Sequence, residues 1–167
     1  MPLDQYSTHV GPLAAAMMIA PPGDVLECGA GGYSTPLLHA MCKISGRNLQ
    51  TIDSNPKWAE QLKSYAVGTH KLNVEPVEQS VPMIRARQWA LAFVDNGQFE
   101  RKPCLDALVG RAALIVVHDT ERPELYAYEP LLSTFKYRAD LVTRPWVVKT
   151  SIVSNTIDLA RLRDLWK

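Results

Sequence analysis

The residues with most chemical content stand at the ends of short apolar runs. Glu27 closes V-L-E and is followed by the turn Gly29-Ala30-Gly31-Gly32. Asp53 closes Q-T-I-D, Asp95 follows W-A-L-A-F-V, and His118-Asp119 follows A-A-L-I-V-V. A glycine-rich turn between strand and helix lets a ligand approach bare backbone at a helix N-terminus, the usual cradle for phosphate. Here an acid precedes the first glycine, where a pyrophosphate would be repelled and positive charge on a ligand stabilised. The dinucleotide pattern G-x-G-x-x-G is also incomplete, with Ser34 at its third glycine position. Asp53, about 20 residues beyond the turn, is placed to accept hydrogen bonds from two ribose hydroxyls. A ribose, an ammonium group and no phosphate describe S-adenosylmethionine.

These side chains need a scaffold that gathers strand ends. Short apolar strands alternate with helical segments along the chain, without repeats or linkers. A leading helix spans about 8–20, ended by Pro21-Pro22. Strands are predicted at Val25–Cys28, Asn48–Asp53, Lys71–Val74, Trp89–Val94 and Ala112–Val117, then at Arg138–Val142 and Trp146–Val153. Helices are expected at Thr35–Ile44, from Ser54-Asn55-Pro56 onward, at Cys104–Val109 and at Glu124–Phe135, with a short closing helix. The continuously apolar fourth and fifth strands suit a sheet covered on both faces. The expectation is one α/β domain over 1–167, with a cofactor half at about 24–80 and a substrate-side half at about 89–167. Its parallel sheet would bind ligands at the carboxyl ends of the strands.

Glu27-Cys28-Gly29-Ala30-Gly31 with Asp53 resembles the first two motifs of class I S-adenosylmethionine-dependent methyltransferases, (E/D)-x-G-x-G-x-G. More narrowly, E-C-G-A-G-G-Y-S-T-P-L-L, T-I-D-S-N-P-K-W, F-V-D-N-G-Q-F-E-R and V-V-H-D-T-E-R-P look like a group of small methyltransferase-like proteins. One departure is Tyr33 at the third glycine position, with an extra glycine at 32. The resemblance implies a Rossmann-like, doubly wound, mostly parallel seven-stranded sheet. It implies that Gly29, Ala30 and Gly31 approach the methionine moiety and that Glu27 binds or orients its ammonium group, directly or through water. Ser34 and Thr35 would hold its carboxylate, Asp53 the ribose with Ser54 beside it, Trp58 the adenine, and Val77 or Glu78 the adenine edge.

Methyl transfer from a sulfonium is an in-line displacement in which the protein supplies positioning and a dry site. A hydroxyl acceptor also needs its proton removed by a base or a metal. Asp95, Asn96, His118 and Asp119 are the groups expected beside the methyl. In one arrangement His118 is the general base, oriented by Asp119 or Asp95. In another, Asp95 and Asp119 are oxygen ligands to Mg²⁺, similar to metal-dependent catechol-type O-methyltransferases. His9 is a second base candidate if Tyr6-Ser7-Thr8-His9 folds over the pocket. Arg101-Lys102 would bind an anionic group or form a solvated helix face, and Tyr126 and Tyr128 would line an acceptor pocket.

Composition narrows the acceptor. Hydrophobic residues make up 47% of the chain, and 18 basic against 17 acidic residues give a net charge of +1, which provides no electrostatic footprint for nucleic acid. Val94-Asp95-Asn96-Gly97 stands where an N-P-P-Y or N-P-P-F signature would hold an exocyclic amine. A small molecule, sugar or carrier-linked group is the expected acceptor. Cys28, Cys42 and Cys104 form no metal-binding spacing and read as buried thiols. With no membrane-spanning or leader-like segment, the expected location is cytoplasmic. Two other functions remain open on the sequence: a non-catalytic S-adenosylmethionine sensor or partner subunit, and a nicotinamide-dependent oxidoreductase.

Overall fold

The computed structural model describes residues 4–165. Seven strands form one sheet: β1 (Val25–Cys28), β2 (Leu49–Asp53), β3 (His70–Val74), β4 (Trp89–Val94), β5 (Ala112–Val117), β6 (Tyr137–Thr143) and β7 (Val148–Ser154). Their spatial order is β3-β2-β1-β4-β5-β7-β6. Neighbours from β3 to β5 pair in parallel, while β7 runs antiparallel to both β5 and β6. Strand order reverses between β1 and β4, so a crevice opens at the carboxyl ends of that pair.

Side-chain alternation divides the strands between two cores. Leu26, Ala92, Val94, Ile115 and Val117 face α4 (Val77–Ala86), α5 (Gln98–Leu108) and α7 (Glu129–Leu132). Val25, Leu91, Phe93, Leu114 and Val116 face α1 (Val10–Ile19), α2 (Ser34–Ser45) and α8 (Ala160–Leu165). Every residue of β4 is buried, as its unbroken apolar run requires. Two further short helices are α3 (Pro56–Leu62) and α6 (Pro123–Tyr126). No helix among the described residues is long and apolar enough to cross a membrane.

The fourth and fifth strands match the sequence expectation at both ends. The helices differ where proline intervenes. α4 was not expected, and α5 begins at Gln98 instead of near Cys104; each carries a proline, Pro82 or Pro103, inside it. Such a proline removes one helical hydrogen bond, and burial of Val77, Ser80 and Ile84 on α4 and of Cys104, Leu105 and Leu108 on α5 offsets the loss. The helix expected at Glu124–Phe135 is broken into α6 and α7. Ala127 turns left-handed with φ 50°, and Pro130 stands in the first turn of α7. The break rotates Tyr128 into the core, where its hydroxyl donates to the Asp119 carbonyl at 2.9 Å.

Gly29 joins β1 to the turn with φ +94°, and a Cβ there would lie 2.6 Å from the Asp95 carbonyl oxygen and the Asn96 nitrogen. Backbone on both sides leaves nothing that can give way. Gly32, two positions past Ala30, would carry a Cβ into open space. Gly29→Ala is therefore expected to destabilise the fold by about 3 kcal/mol or more, and Gly32→Ala by about 1 kcal/mol or less. Urea unfolding of the two variants checks this contrast.

Candidate active site

The turn after β1 is anchored by Asp53 at the end of β2 and by Trp58 of α3. The Ala30 N–H donates to Asp53 Oδ2 at 2.8 Å, and the Trp58 indole N–H donates to the Ala30 carbonyl. The other Asp53 oxygen accepts the N–H of Asn55 at 2.7 Å, and Asn55 in turn caps α3. Burial pushes the Asp53 carboxyl above the usual range, against the two amide hydrogen bonds. Asp53 and Ser54 border a narrow cleft with Glu75, Val77 and Asn96, whereas Glu78 stands exposed in the first turn of α4 and is not part of that cleft.

Glu27 does not face the ligand side. It is fully buried, accepting the Thr51 hydroxyl at 2.7 Å and the Thr35 hydroxyl at 2.9 Å. Thr35 in turn receives the Gly31 N–H at 3.0 Å, and Ser34 also hydrogen-bonds the carboxyl. Three assignments are thereby corrected: Glu27 cannot meet an ammonium group directly, and the Ser34 and Thr35 hydroxyls are turned inward to it. The physical reason is that a carboxyl in the sheet interior needs hydroxyl donors, and these two threonines and the serine are the nearest. Burial raises the Glu27 pKa to about 7, against the hydrogen bonds from Ser34, Thr51 and Thr35.

A second polar cluster joins the ends of β4 and β5. Arg101 of α5 is only 4% exposed. Its Nη2 contacts Asp95 Oδ1 at 2.7 Å and Asp119 Oδ2 at 3.0 Å; Nη1 and Nε donate to the carbonyls of His118 and Asn96, each at 2.7 Å. The Tyr126 ring covers the guanidinium at 4.2 Å. His118 Nδ1 lies 3.3 Å from Asp95 Oδ2 and 3.4 Å from Asp119 Oδ1. Its Nε2 is 2.9 Å from the Thr8 hydroxyl, which gives its own proton to the Gln5 carbonyl and so accepts from Nε2–H. Burial disfavours the His118 imidazolium, but the hydrogen bond and charge of Asp95, with Asp119, outweigh it and raise the pKa. Burial likewise opposes ionisation of Asp95, yet His118 and Arg101 hold its carboxyl below the usual range. Asp119 has φ 57°, a left-handed conformation that Asp and Asn tolerate better than most residues.

This geometry revises several expectations. His118 meets Thr8 through Nε2 and the two carboxylates through Nδ1, so it orients Asp95 and Asp119. Arg101 takes one oxygen of each acid, Asp95 Oδ1 and Asp119 Oδ2, and leaves to a shared ion only the two oxygens that lie beside His118 Nδ1. Arg101 is consequently not available to an anionic substrate, and Lys102 pairs with Asp106 on the surface. Tyr128 is core; Tyr126 reaches the cavity.

The cluster and the turn open onto one cavity of about 620 Å³. Ala30, Gly31 and Gly32 form one wall, and Asp95, His118 and Asp119 the floor. Trp58, Tyr6, Tyr33 and Tyr126 supply an aromatic rim, with His9, Gln5 and Arg122 also reaching it. Tyr6 and His9 belong to the segment expected to fold over the pocket, whereas Gln5, the Tyr33 ring and Arg122 were not expected to line it. Gln5 comes from the turn before α1, Tyr33 from the start of α2 and Arg122 from the loop after β5, and no spacing rule links them.

No protein-family model matches the sequence, and no curated protein matches it. Solved structures do. Cofactor-bound Rv0187 from MTB is 19% identical with a TM-score of 0.69, over 93% of this chain and 82% of that one. Human methyltransferase-like protein 13 in complex with SAH is 11% identical with a TM-score of 0.69, over 95% and 87%. SAH-bound methyltransferase PaMTH1 from Podospora anserina is 18% identical with a TM-score of 0.58, over 85% and 75%. The fold is that of the class I methyltransferases. Within that fold the glycine turn and Asp95 stand at the strand-order reversal, where ligands of open α/β sheets bind.

The buried Glu27 makes a pH prediction. In an unfolded chain this carboxyl ionises near 4.5, and in the fold near 7, so between those values the folded state holds the extra proton. Its contribution is present below pH 4.5 and is lost as pH rises through about 7. Glu27→Gln removes that dependence and is expected to gain on the wild type by on the order of 3 kcal/mol from about pH 5 to about pH 9. Urea unfolding across this range measures it; parallel stability curves would contradict it.

Proposed function

We propose that this chain is an S-adenosylmethionine-dependent methyltransferase directed to an oxygen of a small-molecule or glycan acceptor. The observation that carries the reading is the meeting, in one cavity, of a bare glycine turn with carboxylates at the ends of β4 and β5. The cavity's size lies in the range of small-molecule sites, roughly 300–1,000 Å³.

The residues fit the cofactor. Asp53 accepts one backbone N–H on each oxygen, leaving a further lone pair on each for a pair of ribose hydroxyls. Gly32 leaves the turn's backbone open to the cavity. Trp58 lies across Ala30 as an aromatic surface next to Asp53, and Val77 walls the cleft beside it. The partly exposed Asp95 carboxylate, held ionised, is the acid on the cavity floor that suits an ammonium or sulfonium charge. When bound, S-adenosylmethionine supplies an activated methyl group on a sulfonium.

The acceptor side follows from the same floor. Asp95 Oδ2 and Asp119 Oδ1 are hydrogen-bond acceptors held by Arg101 and His118, suited to orient a hydroxyl through its proton. The aromatic rim suits a planar or sugar ring and excludes water around it. A nicotinamide dinucleotide is disfavoured because β7 enters the sheet antiparallel between β5 and β6, an insertion that the 3-2-1-4-5-6 dinucleotide fold lacks.

Calorimetric titration with S-adenosylhomocysteine tests the reading. Wild type is expected to bind it; Asp53→Ala is expected to weaken binding at least tenfold, about 1.4 kcal/mol. Asp119→Asn, which keeps the left-handed backbone, is expected to retain binding. Failure of wild type to bind, or binding of NADH in its place, would remove the proposal.

A further inference from the structure

His9 reaches the cavity from unusual surroundings. It precedes α1 and is 3% exposed, between the Phe93 ring at 5.0 Å and the edge of the His118 ring at 4.7 Å. Neither of its ring nitrogens has a hydrogen-bond partner among the described residues. An imidazole buried in this way loses its bonds to water and gains none, so the position is unfavourable as it stands. Its Nδ1 is 3.9 Å from Asp95 Oδ2, the same oxygen that His118 Nδ1 approaches at 3.3 Å. One ligand atom from each of the three residues lies within 4.8 Å of the others.

The hydrogen-bond order around His118 adds a second argument. Thr8 commits its proton to Gln5, so Nε2 must carry the ring hydrogen. A neutral His118 then turns a bare Nδ1 lone pair toward Asp95 Oδ2 and Asp119 Oδ1. The His118 Nδ1 and Asp95 Oδ2 lone pairs meet where a cation must sit between them, either the proton of an imidazolium or a metal ion that displaces it, and the unpartnered His9 ring beside them favours the metal. Ligands held at about 2.1 Å from a tetrahedral ion sit about 3.4 Å apart, close to the spacing of His118 and Asp95. Thr8 on the far nitrogen would fix the His118 ring, as second partners of metal-bound histidines do. Arg101 occupies Asp95 Oδ1 and leaves Oδ2 free for this role.

We propose that His9, Asp95 and His118 form a binding site for a first-row divalent transition-metal ion. Two imidazoles and one carboxylate select ions such as Zn²⁺, Co²⁺ or Fe²⁺ over Mg²⁺, which prefers oxygen ligands. All three residues line the cavity, so the remaining coordination positions face it, where an acceptor oxygen would bind. The site is distinct from the Asp95–Asp119 pair bridged by Arg101, and it stands whether or not the cofactor is S-adenosylmethionine.

The test uses the full chain stripped with a chelator and titrated with Co²⁺ alone. The background carries His39→Asn, because His39 and His70 face each other at 3.2 Å elsewhere in the fold and would bind metal themselves. One equivalent of Co²⁺ with visible absorption is expected, and His9→Phe should weaken it at least tenfold. In parallel, imidazole nitrogen NMR of the wild-type chain with Zn²⁺ should shift His9 and His118, a readout independent of whether the variant folds. No Co²⁺ bound, undiminished binding in a folded His9→Phe, or Zn²⁺ shifts confined to His39 and His70 would overturn the site. S-adenosylhomocysteine titration of the same metal-free protein reports separately on the methyl-transfer reading.

Discussion

A buried guanidinium holds the ends of β4 and β5 together. Arg101 reaches from α5 to two carboxylates and two carbonyls, and those partners belong to Asp95, Asn96, His118 and Asp119. Without it, Asp95 and Asp119 would face each other as like charges at the floor of the cavity. Removing one partner of a buried charge network typically costs about 3–5 kcal/mol, because the groups left behind stay desolvated. Burial works against the Arg101 charge, but Asp95 and Asp119 outweigh it and raise the pKa, so the cation persists. His118 is locked in turn by these same acids and by Thr8, which brings the segment before α1 over the site.

The glycine turn depends on the same strand end. Gly29 is pressed against the backbone of Asp95 and Asn96, so the position of the turn and the position of the acids are one geometric fact. On the other side, Glu27 ties the turn to α2 and β2 through Thr35 and Thr51. Thr51 also meets His70 Nε2 at 2.9 Å, extending the polar chain to β3. The turn is thus rigid before any ligand arrives, and a ligand meets preformed backbone.

The strands were legible because their apolar runs are short and end in polar residues, and β4 and β5 needed nothing more. The strand-end acids were legible for the same reason: a charge closing an apolar run in a parallel sheet has to emerge at the ligand face. Glu27 broke that rule by lying within β1, where two threonine hydroxyls offered it partners inside. Arg101 was hidden in F-E-R-K-P-C, which reads as a solvated helix face until α5 is seen to begin at Gln98. Pro82 and Pro103 concealed two helices that tertiary burial sustains. His9 and Thr8 are more than a hundred residues from His118, and no local pattern announces that contact.

The central claim is that Arg101 and the two acids act as one unit that positions the cavity floor. A double-mutant cycle in unfolding free energy between Arg101→Met and Asp95→Asn measures it most directly. Residues within one charge network couple by roughly 0.5–3 kcal/mol, and a coupling of about 2 kcal/mol or more is the predicted result. Additive losses, with coupling near zero, would mean that Arg101 packs beside the acids without organising them, and the account of the site would fail.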